Sequence, residues 1–399
     1  MIKLNKIIFL TFLFFCFIFQ AQALDFDLKS NNAIIYNLKT GEVLYEKNSE
    51  EKVRIASLTK IMTTIVAIEQ IDNLEDKVII TYEMLEGLIE KNASVVGFQV
   101  GNIVTYNDLL HGTLIPSGAD ATRALAISLV GSEDEFVKLM NDKAISLGMN
   151  NTHYTNTSGL DTDNQYSTVK DVSIGLMYAL NNPIFKEIYT KDEYTTTNGI
   201  KMKSTLNYYS NRYNIKTDYI IGAKTGYTDL AGYCLSTLAN YNEIDYLTVT
   251  TGADAKLDFP NNIIDTNKML KYFSENYQYI KVVKKNDILV TLKNKYSDNN
   301  VNIIAKEDIY GYMLKKEINT ISYNYEGKEK ISIFTDSKTK IGTVTIKIGD
   351  KLFNNLDIYK PEKVEFNLLK FLTNYIYIII LIPIIIILIT FKRRKKHAN

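Results

Sequence analysis

The feature that most constrains this chain is a strongly apolar run near its C-terminus. Residues 371–391 read FLTNYIYIIILIPIIIILITF, and the basic run KRRKK follows directly. A helix of about 20 apolar residues is long enough to cross a bilayer, and a basic flank favours the cytoplasmic side. Pro383 is compatible with this interpretation because membrane helices tolerate a single proline. We therefore predict a transmembrane helix over 367–391 and a basic cytoplasmic tail over 392–399.

The N-terminus is typical of a secretory signal peptide. Lys3 and Lys6 precede an apolar stretch, and the small residues Ala21 and Ala23 lie where cleavage is expected. A retained anchor is the alternative, but the apolar stretch is short for a bilayer span. With a signal peptide over 1–23, the body of the protein is expected on the extracytoplasmic face of the membrane.

Composition and charge argue against several classes of protein. The 399 residues carry a net charge of +1, and their one dense basic run is the C-terminal tail, so we predict no nucleic-acid partner. Cys16 lies within the predicted signal peptide, which leaves Cys234 without an intramolecular partner and argues against a disulfide scaffold. His111, His153 and His397 lack the spacing of metal ligands, so we predict no metal site.

The first part of the body mixes strand and helix patterns. Residues 33–46 alternate around a glycine-containing turn and predict a hairpin. Helical periodicity begins at Ser57 and again at Asp120. Residues 231–253 predict two strands around a polar turn, and 261–277 predict a closing amphipathic helix.

The second part of the body has a different pattern. From residue 278 onward the chain is a series of short alternating runs, among them ILVTLKNKY, KISIFTD and GTVTIKIGD. Such runs predict a small all-β domain. We therefore predict one mixed domain over 24–277 and an all-β domain over 278–366, between the first domain and the membrane.

The helix that begins at Ser57 combines a buried face with reactive groups. Apolar residues recur every three or four positions along it: Leu58, Ile61, Met62, Ile65 and Ile68. Ser57 and Lys60 are neighbours on its first turn, so a hydroxyl and an amine can meet over the helix N-terminus. The alternative is that Ser57 caps the helix and Lys60 extends into solvent. The S-x-x-K spacing also begins at Ser49, Ser167 and Ser337, so spacing alone does not decide.

Two further stretches contain candidate site residues. In LIPSGADAT, Ser117 lies in a loop that opens a helix, and in IIGAKTGYTDLAGY, Lys224, Thr225 and Gly226 precede or begin a strand. Each motif alone is weak, because a serine before a helix is usually a cap and K-T-G also occurs at 39–41.

In chain order, with their flanks, these motifs resemble the serine D-alanyl-D-alanine carboxypeptidases of peptidase family S11, the low-molecular-mass penicillin-binding proteins. The resemblance covers about 32–277 and rests on TGEVLYEKN, ASLTKIMT, LLHGTLIPSGADA, GMNNTHYTNTSGL and GAKTGYTDLAGYCL. It implies an α+β fold: a β-lactamase/transpeptidase-like domain, with an antiparallel sheet flanked by helices and the nucleophile helix in the core. The small all-β domain and one C-terminal transmembrane helix would follow, which places the protein at the bacterial cell membrane.

The resemblance also implies the reaction. Ser57 would attack a peptidoglycan stem peptide that ends in D-Ala-D-Ala, forming an acyl-enzyme, and β-lactam antibiotics would acylate the same serine. Lys60 would act as the base, with its pKa lowered by burial and by the charge of Lys224. Ser117 would pass protons to the leaving D-alanine. No metal or organic cofactor is required.

The K-T-G strand would bind the substrate. Lys224 and Thr225 would hold the terminal carboxylate, and Gly226 would let the substrate backbone approach the strand. The backbone N–H groups of Ser57 and Tyr227 would hold the oxyanion.

The chain departs from the family at one position. Ala119 stands where the S-x-N motif usually has asparagine, which puts the rate and the tuning of the lysine pKa in doubt. Two alternatives on the same fold are a catalytically weakened wall-binding protein and a D,D-endopeptidase. A secreted class A β-lactamase is disfavoured, because the E-x-x-L-N pattern of its deacylating glutamate is absent.

Overall fold

The computed structural model describes residues 26–254, 259–336 and 338–396. The chain divides into two compact units, of which the first ends at Lys271 and the second begins at Tyr272. The predicted signal peptide lies outside the described residues.

The first unit contains strands and helices in alternation along the chain. Its strands are β1 Asn32–Asn37, β2 Glu42–Lys47, β3 Lys77–Ile79, β4 Ile103–Thr105, β5 Glu193–Thr195, β6 Lys201–Lys203, β7 Ile220–Thr228, β8 Gly232–Tyr241 and β9 Ile244–Ala253. Its helices are α1 Thr59–Gln70, α2 Tyr82–Leu85, α3 Tyr106–Leu114, α4 Ala119–Val130, α5 Glu133–Ser146, α6 Val169–Leu180, α7 Pro183–Tyr189, α8 Thr205–Arg212 and α9, which begins in this unit and spans Asn261–Asn276.

The main sheet of this unit is antiparallel, in the order β2-β1-β9-β8-β7. Alternate residues of β8 belong to different apolar clusters: Cys234 and Leu238 pack with the α1 side, and Leu235 packs with Ile263 of α9. Period-two alternation explains this, since successive strand residues point to opposite faces. The predicted antiparallel sheet covered by helices on both faces is confirmed.

Local sequence signals account for most helix ends. The helix predicted from Asp120 ends at Gly131, which adopts φ +88°, a left-handed conformation that favours glycine. The Ser132 side chain then caps α5 by accepting from the Glu135 N–H, and Thr168 caps α6 through the Asp171 N–H.

Helix α3 is fixed by local and by distant contacts. Thr105 and Asp108 form a reciprocal capping box at its start. The buried Asp108 also accepts hydrogen bonds from Tyr194 and Thr197, which lie far along the chain. Contacts between distant segments therefore contribute to fixing this helix.

The second unit has the predicted all-β character. Its strands are β10 Tyr277–Val283, β11 Ile288–Asn294, β12 Val301–Ile304, β13 Ile309–Leu314, β14 Ile321–Gly327, β15 Lys330–Ile331, β16 Lys340–Ile348 and β17 Lys351–Tyr359, with a 3₁₀ turn at Lys315–Thr320. The strands pair as β10-β13, β12-β11-β15 and β14-β16-β17 around a separate apolar core that includes Val283, Val344 and Ile346.

Two helices follow the last strand: α10 Leu368–Asn374 and α11 Ile376–Lys396. Among the described residues, neither these nor any other single helix has both the length and the apolar composition to cross a bilayer. Taken together up to Thr390, α10 and α11 meet both criteria, but they are bent by 59°. The residues predicted as one transmembrane helix over 367–391 form two helices, with a break at Tyr375.

Candidate active site

Ser57 lies in a strained turn ahead of α1. The 3₁₀ turn Ala56–Leu58 precedes the helix, and Ala56 has φ +46°, which non-glycine residues rarely adopt. The N-cap residue of α1 is Leu58, and no side chain caps the helix. The alternative in which Ser57 is the cap is therefore wrong, and its hydroxyl remains available for other contacts.

Lys60 is buried beneath this serine. Its Nζ lies 2.9 Å from the Ser57 Oγ and 2.6 Å from the Ser158 carbonyl oxygen, and the residue is 2% exposed. Burial lowers the pKa of Lys60 to about 7, against the nearby Asp120 carboxylate, which raises it. The amine is therefore substantially neutral near pH 7 and is able to accept the serine proton. The alternative of a solvated Lys60 is wrong.

The loop that contains Ser158 was not assigned a role from the sequence. The Asn156 Oδ1 accepts from the Ser158 N–H and Oγ and from the Gly159 N–H, which fixes the loop. Gly159 has φ +85°, and a Cβ there would lie 1.9 Å from the Ala56 carbonyl oxygen. The loop thus packs on the nucleophile turn through a position that only glycine fits. The turn-forming run NTSGL was the available signal, but it does not reveal this contact.

A second lysine–serine pair lies close to the first. The Lys224 Nζ donates to the Ser117 Oγ at 2.8 Å and to the Thr225 carbonyl at 2.7 Å, and Lys224 is fully buried. Ser117 adopts φ +67° in the tight loop between α3 and α4. The loop between α3 and α4 and the strand β7 therefore bring Ser117 and Lys224 together.

The electrostatics of the two lysines differ from the expectation. Burial first, and then the charge of Lys60, lower the pKa of Lys224 well below its usual range. We expected burial and the Lys224 charge together to lower the pKa of Lys60, and burial is the cause found. Repulsion between the two ammonium groups adds to burial and disfavours charging both lysines at once.

The remaining K-T-G residues line β7, the edge strand of the sheet. Thr225 shares a hydrogen bond of 2.6 Å with the Thr205 hydroxyl. A Cβ on Gly226 would lie 3.0 Å from the Ser57 backbone nitrogen, so this glycine lets β7 approach the nucleophile turn. We expected Gly226 to admit substrate; the close approach seen is to the protein itself. Tyr227 is half exposed, and its hydroxyl donates to Asp229.

Position 119 is fixed through its backbone, and the residue is buried. The Ala119 N–H donates to the Ser94 carbonyl at 2.7 Å. The next residue, Asp120, accepts from the backbone N–H groups of Val96 and Gly97 at 2.8 and 3.0 Å. These bonds hold the 94–98 loop against the start of α4.

A cleft extends on both sides of Ser57. One cavity, of about 480 Å³, is lined by residues that include Ser57, Lys60, Ala119, Ser158 and Tyr227. A second, of about 410 Å³, is lined by residues that include Ser57, Ser117, Thr225, Gly226 and Tyr227. Six of the seven predicted site residues therefore line the cleft, and the seventh, Lys224, contacts it through Ser117.

Within 26–254, 259–336 and 338–396, no group of three or more His, Cys, Asp or Glu side chains is placed to hold a metal ion.

Comparison with known proteins matches both units. Residues 18–255 match the D-alanyl-D-alanine carboxypeptidase family, and 277–365 match the C-terminal domain of penicillin-binding protein 5. The chain is 30% identical to the D-alanyl-D-alanine carboxypeptidase DacF of Bacillus subtilis over 80% of this chain and 82% of the relative.

Solved structures agree on the architecture. Penicillin-binding protein 5 of Haemophilus influenzae superposes with a TM-score of 0.62 at 25% identity, covering 83% of this chain and 96% of that one. The carboxypeptidase DacD of Francisella tularensis, at 23% identity, shares the fold with a TM-score of 0.67 over 86% of this chain and 96% of its own. The chain thus belongs to the D-alanyl-D-alanine carboxypeptidase family, peptidase family S11.

Proposed function

We propose that this protein is a serine D-alanyl-D-alanine carboxypeptidase that removes the terminal D-alanine from peptidoglycan stem peptides, and that β-lactams acylate the same serine. One observation carries the proposal: the Lys60 Nζ lies 2.9 Å from the Ser57 Oγ at the bottom of an open cleft. A neutral amine in hydrogen-bond contact with a serine is the arrangement that activates a hydroxyl nucleophile.

In the acylation half-reaction, Lys60 takes the proton of Ser57 while the Oγ attacks the carbonyl of the penultimate D-alanine. The backbone N–H groups of Ser57 and Tyr227 stabilise the oxyanion. As the C–N bond breaks, Ser117 donates its proton to the leaving amine and receives one from Lys224. The contact of 2.8 Å between the latter two supports this route.

The low pKa of Lys224 has to be reconciled with its role in this step. A substrate that ends in a carboxylate brings a negative charge close to Lys224, and such a charge favours the ammonium form. A bound substrate carboxylate therefore favours the protonated form of Lys224, which supplies the proton that Ser117 later passes on.

Deacylation reverses the two proton transfers. A water molecule attacks the ester carbonyl and gives its proton through Ser117 to Lys224, while Lys60 returns its proton to the Ser57 Oγ. The products are the shortened stem peptide and the free serine, so each lysine ends the cycle as it began. All protons are accounted for by residues of this chain.

The test is acylation followed by turnover. The protein is incubated with benzylpenicillin, its intact mass and peptide map are recorded, and D-alanine release from a D-Ala-D-Ala pentapeptide is measured, with Ser57→Ala as the control. We expect an adduct on Ser57 and release of D-alanine. An adduct without release would favour the weakened or endopeptidase alternatives, which the comparisons do not favour; no adduct would refute the proposal.

We further propose that the protein is held at the extracytoplasmic face of the bacterial membrane, with 24–277 and 278–366 as its two domains. The apolar composition of α11 up to Thr390 and the basic residues at the end of this helix support this location. Flotation of the full chain with lipid vesicles tests it, and a chain that stays at the bottom of the gradient at high and low salt would contradict it.

A further inference from the structure

The second unit carries an aromatic cluster where its strands meet α10. The cluster comprises Tyr296, Phe334, Phe366, Phe371 and Tyr375, whose neighbouring rings have centroids 5.0–6.2 Å apart. Phe334 comes from the turn between β15 and β16, and Phe371 from α10. The cluster therefore joins the β-domain to the helix that precedes α11.

Helix α10 is fixed to this domain by hydrogen bonds as well. The Asn367 N–H donates to the Tyr296 carbonyl at 2.7 Å, and the Lys370 Nζ donates to the Ser297 carbonyl at 3.1 Å. At the other end of the helix, the Asn374 side chain donates to the Lys295 carbonyl at 3.2 Å. The helix is thus part of the β-domain and not a free tether.

The outer side of this junction is apolar and exposed. We call this surface the apolar patch. Phe334 is 69% exposed and Leu369 is 75% exposed. The patch consists of Ile333, Phe334, Phe366, Leu368, Leu369 and Leu372. Large exposed apolar side chains gathered in one place usually mark an interaction surface.

The chain itself indicates what covers the patch. One residue after α10, α11 begins, and its isoleucine and leucine side chains are exposed along the helix up to Ile389. The 59° bend lets α10 lie along a lipid surface while α11 enters it. Tyrosine side chains, such as that of Tyr375 in the cluster, are enriched at the depth of the lipid headgroups.

We propose that the apolar patch inserts into the headgroup layer of a lipid bilayer, so that the β-domain itself rests on the membrane through the β15–β16 turn and α10. This inference rests on the membrane location proposed above and goes beyond it: the anchor then fixes the orientation of the β-domain, whereas a flexible tether would leave it free.

The absence of tryptophan from the sequence allows a sharp test. Phe334→Trp and Leu369→Trp each create a single reporter within the patch of the full chain. Leu352→Trp is the control: Leu352 is 60% exposed in β17 and pairs with Lys347 near the far end of β16. At about 3.3 Å per strand residue, the length of β16 separates it from the β15–β16 turn by roughly 25 Å.

Each variant is reconstituted in vesicles of phosphatidylcholine and phosphatidylglycerol, with and without brominated acyl chains. We expect the emission of Phe334→Trp and Leu369→Trp to shift to shorter wavelength and to be quenched by brominated lipid, and that of Leu352→Trp to be unchanged. Quenching at Leu369→Trp alone would overturn the proposal, since the β-domain would then stand off the bilayer. Equal quenching of all three would also overturn it. Failure of every variant to float with vesicles would refute the membrane location instead.

Discussion

At the scale of single residues, burial decides the chemistry of Lys60. A lysine in water has a pKa of about 10.4 and is almost fully protonated at neutral pH. In this protein burial lowers the pKa of Lys60 to about 7, while the bond to Ser57 keeps its amine aimed at the nucleophile. The same side chain on an exposed helix face would be an ordinary cation.

This lowered pKa predicts the pH dependence of acylation. The neutral amine is the reactive form, so the acylation rate of Ser57 should rise with pH through about pH 7 and then level off, as the Lys60 ammonium loses its proton. The second-order rate of benzylpenicillin acylation, measured across this range by stopped-flow or quenched mass spectrometry, checks the expectation. A rate that keeps rising with pH up to about pH 10, with no plateau above pH 7, would show that Lys60 keeps its ordinary pKa.

We expect only a small effect on the acylation rate when Ala119 is replaced by the asparagine that is usual in the family. The contacts that hold Lys60 come from Ser57 and the Ser158 carbonyl, not from residue 119. We expect Ala119→Asn to change the acylation rate by less than about tenfold, equivalent to about 1.4 kcal/mol of barrier. An increase of several orders of magnitude would mean that the wild-type site is disarmed.

At the scale of elements, the site is assembled where three pieces of backbone meet. The 156–160 loop approaches the 3₁₀ turn Ala56–Leu58 at Gly159, and β7 approaches the same turn at Gly226. Both glycines leave room for backbone atoms of the nucleophile turn. The motifs that contain these two glycines do not reveal the contacts that they make with the nucleophile turn.

Gly159 and Gly148 are a matched pair of positions. An alanine would strain the backbone at both, but only at Gly159 would it also clash with a neighbour. Both adopt positive φ, +85° and +78°, but a Cβ at Gly148 would meet nothing within 4 Å, whereas one at Gly159 would lie 1.9 Å from a carbonyl oxygen. We expect Gly148→Ala to cost about 1–2 kcal/mol of unfolding free energy and to acylate normally.

Gly159→Ala should cost more than this and should also lose acylation, because the Ser158 carbonyl must move away from Lys60. Urea denaturation and benzylpenicillin binding, measured on both variants, test the difference. Equal behaviour of the two would contradict the packing of this loop on the nucleophile turn.

At the scale of the whole molecule, the two units have separate apolar cores. The core that contains α1 and β8 draws its residues from the first unit, and the core of Val283 and Val344 draws its residues from the second. All the predicted site residues belong to the first. We therefore expect a chain that ends at residue 277 to fold and to be acylated on Ser57.

A comparison of the full chain with this shorter chain checks the expectation. Thermal unfolding should show a cooperative transition for the shorter chain, and its benzylpenicillin acylation rate should lie within a few fold of the full chain. Loss of the transition would show that the second unit is needed for the first to fold.

The sequence alone was informative wherever the relevant interactions are local. Period-two alternation predicted the β1–β2 hairpin and the strands of 231–253, and the three-and-four spacing after Ser57 predicted α1. Helix α4 ends at Gly131 in a left-handed conformation, which is a local effect because glycine adopts this conformation without strain. The apolar run after residue 370 predicted a helix but not the break at Tyr375.

The tertiary structure decided what the candidate residues can do. Ser158 approaches Lys60 from 98 positions away, and Lys224 reaches Ser117 across 107. The desolvation that lowers both lysine pKa values depends on every neighbour that excludes water, and those neighbours come from many segments. The sequence therefore determined the elements and the identity of the reactive side chains, whereas only the fold determined their burial and protonation, because these arise from contacts that no local pattern encodes.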